Sequence, residues 1–397
     1  MKVAWICHFS NWEVQSVLHP DYTVNEFAPW ITNMVKIFEN DDNIELHILS
    51  PQSQISGYKK FILNGINYHF FNPYFTLYGR SLTKFHLNYR TNFFYLKAVI
   101  RKIIKEIKPD LIHLHGAEVD YSSSVFQFKG IYPVFVTVQG FVSHATKKDD
   151  YFIRYRTKVE QKIFKDFQHF GYRTLTMGRD ILNYNPNAVL HWHNYPIPLI
   201  NVIKVEKKFD LVFFARVTHD KGIEDLVKCL SLIKNIFPDI SLCVIGGTNK
   251  IYLQYLADMA AELNVSKNIR WMGYIQNHSD MFKIASSALI SVLPTYHDII
   301  SGTIIESMLL KLPVVAYNVG SIHEINETGE FVSLIDKGDI SAMAQKIITL
   351  LKRKDELEDI GERAYYRALK MFDNNQIYSD ITNAYRKVID DFSYNRK

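Results

Sequence analysis

Asp298 and Glu306 bracket the stretch DIISGTIIE, which continues as SMLLKLPVVAYNVGS to Ser321. The pattern predicts a loop feeding a helix whose first turn carries Ser301, Gly302 and Thr303, with a strand, LPVVAY, directly after it. Backbone N–H groups in a helix's first turn have no partner inside the helix and lie at the positive end of its dipole. Such a start suits a phosphate. One turn on, the carboxylate of Glu306 can accept a hydrogen bond from a ribose hydroxyl. The spacing therefore predicts a nucleotide-sugar site.

Three further stretches extend it. In FFARVTHDKGIEDLV, Arg216 follows a strand and Lys221 precedes a helix, with Gly222 allowing a tight turn between them. Two cations at a strand's carboxyl end neutralise a diphosphate, Arg as a fork and Lys as a point charge. By itself the pair reads as solvated surface; its place after a strand, opposite 298–306, reverses that reading. In VIGGT, residues 244–248, Gly246 either lets the backbone approach a ligand or simply ends a strand. The loop GYIQNHSDM, residues 273–281, can hold a nucleotide base through backbone groups around Ile275.

These stretches need a scaffold, and the rest of the chain describes one. Its 397 residues exceed one ordinary core, and 47% hydrophobic content is ample for two buried sheets. Apolar runs such as KVAWIC, IELHIL, INYHFF, DLIHLH and PVFVTV alternate with helical patterns, one of them near 26–39. The alternation restarts with FDLVFFA and continues through EFVSLID. This predicts an α/β protein of two Rossmann-like, doubly wound domains facing a cleft, with ligands at the strands' carboxyl ends. The expected boundaries are 1–200, 201–375, and a helix over 376–397 returning to the first domain. Residues 183–207, rich in Pro and Asn, read as the linker.

Cys7, Cys229 and Cys243 show no zinc spacing and read as buried thiols in a reducing compartment. The N-terminal apolar run is too short for a signal peptide, and no stretch approaches a membrane span, so a cytoplasmic location is expected. The net charge of +5 is carried by the first 200 residues, most densely by 80–110. That stretch mixes bases with aromatics. It reads either as a surface for an anionic membrane or as a solvated helix with Leu96, Val99, Ile103 and Ile107 on its core side. The charge is too modest for nucleic acid, and no recognition motif appears.

Taken together, the motifs resemble those of the retaining glycosyltransferases of the large family-4 type, which have the GT-B fold. Arg216, Lys221 and Gly222 match that family's R-x4-K-G, and Asp298-x7-Glu306 with the following SMLLKLPVVA matches its E-x7-E segment. The resemblance implies that Arg216 and Lys221 hold the donor pyrophosphate and Glu306 the ribose. It places Asp298 toward the donor sugar, with Ser301 to Thr303 supplying backbone donors. The chain departs from the pattern at Asp298, where Glu is usual, at Ile299–Ile300 in place of Gly-Phe, and at Lys311 in place of Gly.

In the first half, HFSNWEV replaces the family's Gly-Gly loop, bringing in His8 and Ser10. DLIHLHG resembles its D-x-x-H-x-H; His113 and His115 share one strand face, so one is expected to be structural and the other, taken as His115, near the cleft. Gln139 stands where a histidine near the donor sugar is usual, and His144 is a candidate substitute. His191 and His193 flank Trp192 and are weak metal candidates.

The implied reaction is transfer from a UDP- or GDP-sugar to a glycan or lipid-linked acceptor, in cell-surface polysaccharide synthesis at the inner membrane face. It needs no cofactor or metal, because cations neutralise the leaving diphosphate and that diphosphate takes the acceptor's proton. Two other readings stay open: a GT-B-type sugar-nucleotide epimerase, and a non-catalytic binder of nucleotide sugar or glycan.

Overall fold

Val3, Ala4, Trp5 and Ile6 are buried without exception in the strand Lys2–Ile6. A strand apolar on both faces must be covered on both, and this one lies in the middle of a sheet. The structure, a computed structural model, describes residues 1–9, 11–18, 28–77, 80–81, 87–144, 150–197, 200 and 205–394. The chain divides into two compact units, Met1–Pro196 with Phe372–Lys397, and Ile197–Met371.

The first unit holds an eight-stranded sheet. Its order is Val189–Trp192, His169–Tyr172, Val134–Thr137, Leu111–His115, Lys2–Ile6, Glu45–Pro51, Ile66–Phe71 and Tyr58–Leu63. Neighbours are parallel except at the last pair, which is antiparallel. The second unit holds six parallel strands, in the order Ile269–Gly273, Leu242–Ile245, Phe209–Phe214, Ala288–Leu293, Val314–Tyr317 and Ser333–Ile335. Both are Rossmann-like α/β layers, as the alternation predicts.

In each sheet the chain adds strands first to one side and then to the other. The reversal falls between Lys2–Ile6 and Leu111–His115 in the first unit, and between Phe209–Phe214 and Ala288–Leu293 in the second. Loops leaving two such strands diverge to opposite faces, opening a crevice at their carboxyl ends.

Three expectations need correction. Tyr58–Leu63 is a strand that alternation alone did not indicate; it folds back through Asn64 and Gly65, both at positive φ (50° and 77°), a two-residue hairpin turn. The stretch read as a linker contains Val189–Trp192, the parallel edge strand beside His169–Tyr172; its residues 198–199 and 201–204 lie outside the described ones. In the basic helix, Phe94–Ile107, the buried residues are Leu96, Ile100, Ile103, Ile104 and Ile107, and Val99 is only half-buried.

Among the described residues, no helix is long and apolar enough to cross a membrane. The last helix, Asn374–Tyr394, belongs to the first unit and buries Ile377, Ile381, Ala384, Tyr385 and Val388 in its core. The Tyr385 hydroxyl accepts from Trp5 Nε1 at 2.9 Å and meets His113 Nδ1 at 2.8 Å. Tyr385→Phe leaves Trp5 and His113 without that partner inside the core, at a cost of about 1–3 kcal/mol. Urea titration followed by tryptophan fluorescence should show the loss; an unchanged midpoint would count against this anchoring role.

Candidate functional site

The second unit's reversal point gathers the motif residues. Arg216 follows Phe209–Phe214, and Lys221 ends the single turn His219–Lys221. Gly222 then starts the helix Ile223–Lys234 at φ 74°. A Cβ on Gly222 would lie 1.8 Å from the Pro294 carbonyl oxygen, and one on Gly246 (φ 155°) 1.8 Å from that of Ala215. Neither approach tolerates a side chain, so both glycines are required where neighbouring strand-end loops touch backbone to backbone.

From the loop after Ala288–Leu293 comes Asp298. Its Oδ2 accepts from Lys221 Nζ at 2.7 Å and from Thr295 Oγ1 at 2.7 Å. The lysine and aspartate side chains are only 13% and 20% exposed, so this pair is not one of the solvated contacts worth little. The Arg216 guanidinium, by contrast, is 75% exposed and stands 3.9 Å from Asp220.

Ser301 is the N-cap of Gly302–Leu309, yet its side chain caps no backbone N–H. Thr303 Oγ1 donates to the Phe214 carbonyl at 3.2 Å, docking the helix start against the strand that leads to Arg216. Glu306 is half-buried on the next turn. Ile275 packs its side chain against the core residues around Val212 and Ile245. Arg216, Lys221, Asp298 and the 301–303 helix start thus all lie at the carboxyl ends of the two diverging strands. The arrangement offers two cations and a helix start to an anion, with Asp298 fixing one cation in place.

Sequence reasoning missed the layer beneath. Asp225, 5% exposed, accepts from the hydroxyls of Tyr296 and of Tyr317, the latter at 2.8 Å. Burial first and then the Asp225 carboxylate push the Tyr296 phenol up to about 12. Tyr296 N–H donates to the Asp220 carbonyl at 2.8 Å, tying the loop before Asp298 to the turn before Lys221. The run PTYHD, a hydroxyl and a phenol just before Asp298, was the available signal.

The departures have physical counterparts. Lys311 adopts φ 56°, a conformation glycine takes freely, and its Nζ is held by Glu362 at 2.7 Å. Ile300 is buried at 8% exposure.

In the first unit, His8 and Gln139 line one cavity. The His8 ring meets Tyr121 edge to face, centroids 4.8 Å apart, and the His8 backbone N–H donates to the Tyr121 hydroxyl at 3.1 Å. Burial lowers the His8 pKa to about 4, with Asp120 opposing and Arg156 adding, so the ring is neutral. His113 and His115 do share a face, with centroids 3.7 Å apart, but both are fully buried. His113 bonds Tyr385 and Thr137; neither ring nitrogen of His115 has a hydrogen-bond partner among the described residues. His144 is exposed and stacks on Phe141 at 4.9 Å. Ser10 lies outside the described residues. His193 is buried against Thr137 at 3.0 Å and His191 meets His169 at 3.1 Å. Among the described residues no group of three or more His, Cys, Asp or Glu is placed to hold a metal.

Gly222→Ala should cost about 1–3 kcal/mol from the left-handed backbone alone, and more from the clash with Pro294. Thermal melting of the variant checks this, and a melting temperature equal to that of the unsubstituted protein would contradict the backbone contact.

Residues 200–367 match the family model "Glycosyl transferases group 1". The capsular polysaccharide biosynthesis glycosyltransferase CapM of Staphylococcus aureus is 25% identical over 177 residues, 45% of this chain and 46% of that protein. The chain spans about half the length of the curated relatives it matches. Sucrose-phosphate synthase of Thermosynechococcus elongatus superposes with a TM-score of 0.77 at 16% identity, covering 98% of each chain. HepE of Anabaena, solved with UDP and glucose, gives 0.70 at 14%, covering 98% of this chain and all of that one. The fold of this chain is that of the GT-B glycosyltransferases, and the stretch similar to the group 1 model falls within its second unit.

Proposed function

We propose that this protein transfers a sugar, with retention of configuration, from a nucleoside-diphosphate sugar to a glycan or lipid-linked saccharide during cell-surface polysaccharide synthesis. The observation that carries the reading is Lys221 held at 2.7 Å by Asp298 across the strand-order reversal, beside a helix start its own N-cap side chain leaves uncapped. That is a place for a diphosphate. The UDP and glucose bound to HepE and the capsule-synthesis name of CapM support the donor and the product class.

In this reading the donor's diphosphate lies between Arg216, Lys221 and the backbone N–H groups of 301–303. Glu306 accepts from the ribose, and Gly246 and the backbone around Ile275 border the base. Charge develops on the diphosphate as the glycosidic bond breaks, so fixed cations lower the barrier more than they bind the ground state. The leaving phosphate oxygen takes the acceptor hydroxyl's proton on the same face. Asp298 orients Lys221, and Thr295 keeps the carboxylate in register. UDP added to the folded protein should raise its melting temperature by mass action. Lys221→Ala should cut transfer by about 10²–10³-fold, the loss typical of removing one charge-stabilising group. Glu306→Ala should weaken donor binding. Full transfer activity in both folded variants would sink this reading.

A lipid-linked acceptor would lie at a membrane, and the helix Phe94–Ile107 supports that: Arg101, Lys102 and Lys105 are exposed, and Phe94 is 74% exposed at its start. Each such base near an anionic surface contributes about 1 kcal/mol. Reversing Arg101, Lys102 and Lys105 to Glu should abolish cosedimentation with phosphatidylglycerol-containing vesicles. Pure phosphatidylcholine vesicles serve as the baseline, and equal binding by both proteins would remove the membrane role.

A further inference from the structure

A continuous line of hydrogen bonds runs through the core of the first unit. Trp5 Nε1 donates to the Tyr385 hydroxyl at 2.9 Å, and that hydroxyl meets His113 Nδ1 at 2.8 Å. His113 Nε2 meets Thr137 Oγ1 at 2.7 Å, and the same oxygen meets His193 Nε2 at 3.0 Å. His193 Nδ1 ends the line on the Asn194 backbone carbonyl at 3.3 Å. From Trp5 to His193 no member is more than 2% exposed. The strand His169–Tyr172 passes beside the line at Gly171, a residue without a side chain to part Thr137 from His193.

The two ends fix every proton between them. An indole N–H only donates, and a backbone carbonyl only accepts. His193 therefore carries its proton on Nδ1, toward Asn194, and its Nε2 accepts from the Thr137 hydroxyl. The Thr137 oxygen then accepts from His113 Nε2–H, so His113 Nδ1 is bare and accepts from Tyr385, whose oxygen accepts from Trp5. A further proton on either ring has no place. It turns the acceptor of a buried hydroxyl into a donor, and it puts a charge in the core. The titratable groups facing His113 are Tyr385, His115 and His193; those facing His193 are His191, Arg173 and Tyr195. None of these is a carboxylate. Asp391, on the last helix, meets His169 at 3.6 Å.

The line joins the two segments by which the backbone leaves and re-enters the first unit. That unit ends its first stretch at Pro196 and resumes at Phe372. Asn194 stands just before the exit, and Tyr385 lies on Asn374–Tyr394, the helix that follows the return. We propose that this line is a proton-dependent latch: it closes only while His113 and His193 are both neutral, and acid frees the last helix and the end of the edge strand together. Burial holds both rings below the ordinary imidazole range, His115 and His193 adding to the effect on His113. For His193 the Asn194 carbonyl opposes burial and Arg173 adds to it, leaving the ring at about 4. A released imidazole titrates near 6.5. The latch is therefore fully closed above about pH 6.5, and it weakens as pH falls from there toward about 4, because the released state takes up protons that the closed state excludes.

Nitrogen NMR of the imidazoles in the full chain reads the tautomers. At about pH 7 His113 should carry its proton on Nε2 and His193 on Nδ1, and both should stay neutral down to about pH 5. The opposite tautomer in either ring, or titration of either near the free imidazole value, overturns the proposal. Hydrogen exchange read by mass spectrometry, corrected for its intrinsic pH dependence, follows the release. Between about pH 6.5 and 5, opening of 374–394 and of 189–196 should rise together, by about tenfold for each ring that takes up a proton. Opening of the whole first unit at once, or of one segment without the other, overturns the latch. Thr137→Ser keeps the hydroxyl and should follow the parent protein. Thr137→Val cuts the line at its middle, and the two segments should then open at different pH values. Coincident opening in a folded Thr137→Val overturns the latch; if that variant does not fold, the tautomers and the Thr137→Ser profile decide.

Discussion

A parallel sheet has every strand leaving at the same edge, and each connection must cross a face to come back. When the chain reverses the side to which it adds strands, two neighbouring connections diverge and their strand ends are left uncovered. Both sheets of this protein contain one such reversal, and the groups that can do chemistry collect there. Lys221 and Asp298 belong to the two loops that diverge in the second unit. His8 and Glu118 belong to those that diverge in the first. The glycines, the buried Asp225 with its two tyrosines, and the docking of Tyr385 are devices for holding those loops at fixed height.

The two crevices are built with opposite electrostatics. In the second, Arg216 stays largely in water and Lys221 pairs with the Asp298 carboxylate at 2.7 Å, two basic side chains near the helix start. In the first, burial strips charge from the side chains: His8, His113, His115 and His193 are all held below the usual imidazole range, and Glu118 above the usual carboxylate range. Desolvation is the largest cause for each of them. One crevice therefore presents basic side chains and the other a set of side chains that burial keeps neutral.

Much of this was legible in the residues. Near-continuous apolar strands separated by helices define two α/β units, and R-x4-K with acid-x7-Glu marks the strand ends where Arg216, Lys221 and Asp298 gather. What was illegible depends on long-range contacts. Alternation put His113 and His115 on one face correctly, but whether that face meets water or core depended on Tyr385, 272 residues beyond His113. The edge strand Val189–Trp192 hides in a Pro- and Asn-rich stretch because an edge strand needs only one partner and little apolar length. The hairpin at Asn64–Gly65 did carry a local signal, the two residues that tolerate positive φ, which strand periodicity does not register. Glu118 belongs to no motif; burial is what raises its carboxyl, and no local pattern in the sequence registers that burial.

The shorter acid at 298 gains a meaning from its contact with Lys221. An ion pair so little exposed repays its desolvation only with good geometry and additional hydrogen bonds, and Thr295 supplies one of these to the same oxygen. On this backbone the aspartate's length meets both partners through one oxygen, Lys221 Nζ and the Thr295 hydroxyl each at 2.7 Å. Aspartate thus trades reach into the crevice for control of the lysine. Ile300, buried just beyond it, and Ser321 N–H, donating to the Ile299 carbonyl at 2.9 Å, hold the loop so that this trade is fixed by backbone position. In the proposed reaction Asp298 then acts through Lys221, setting where the cation meets the diphosphate, and the sugar ring is left to be read by other groups.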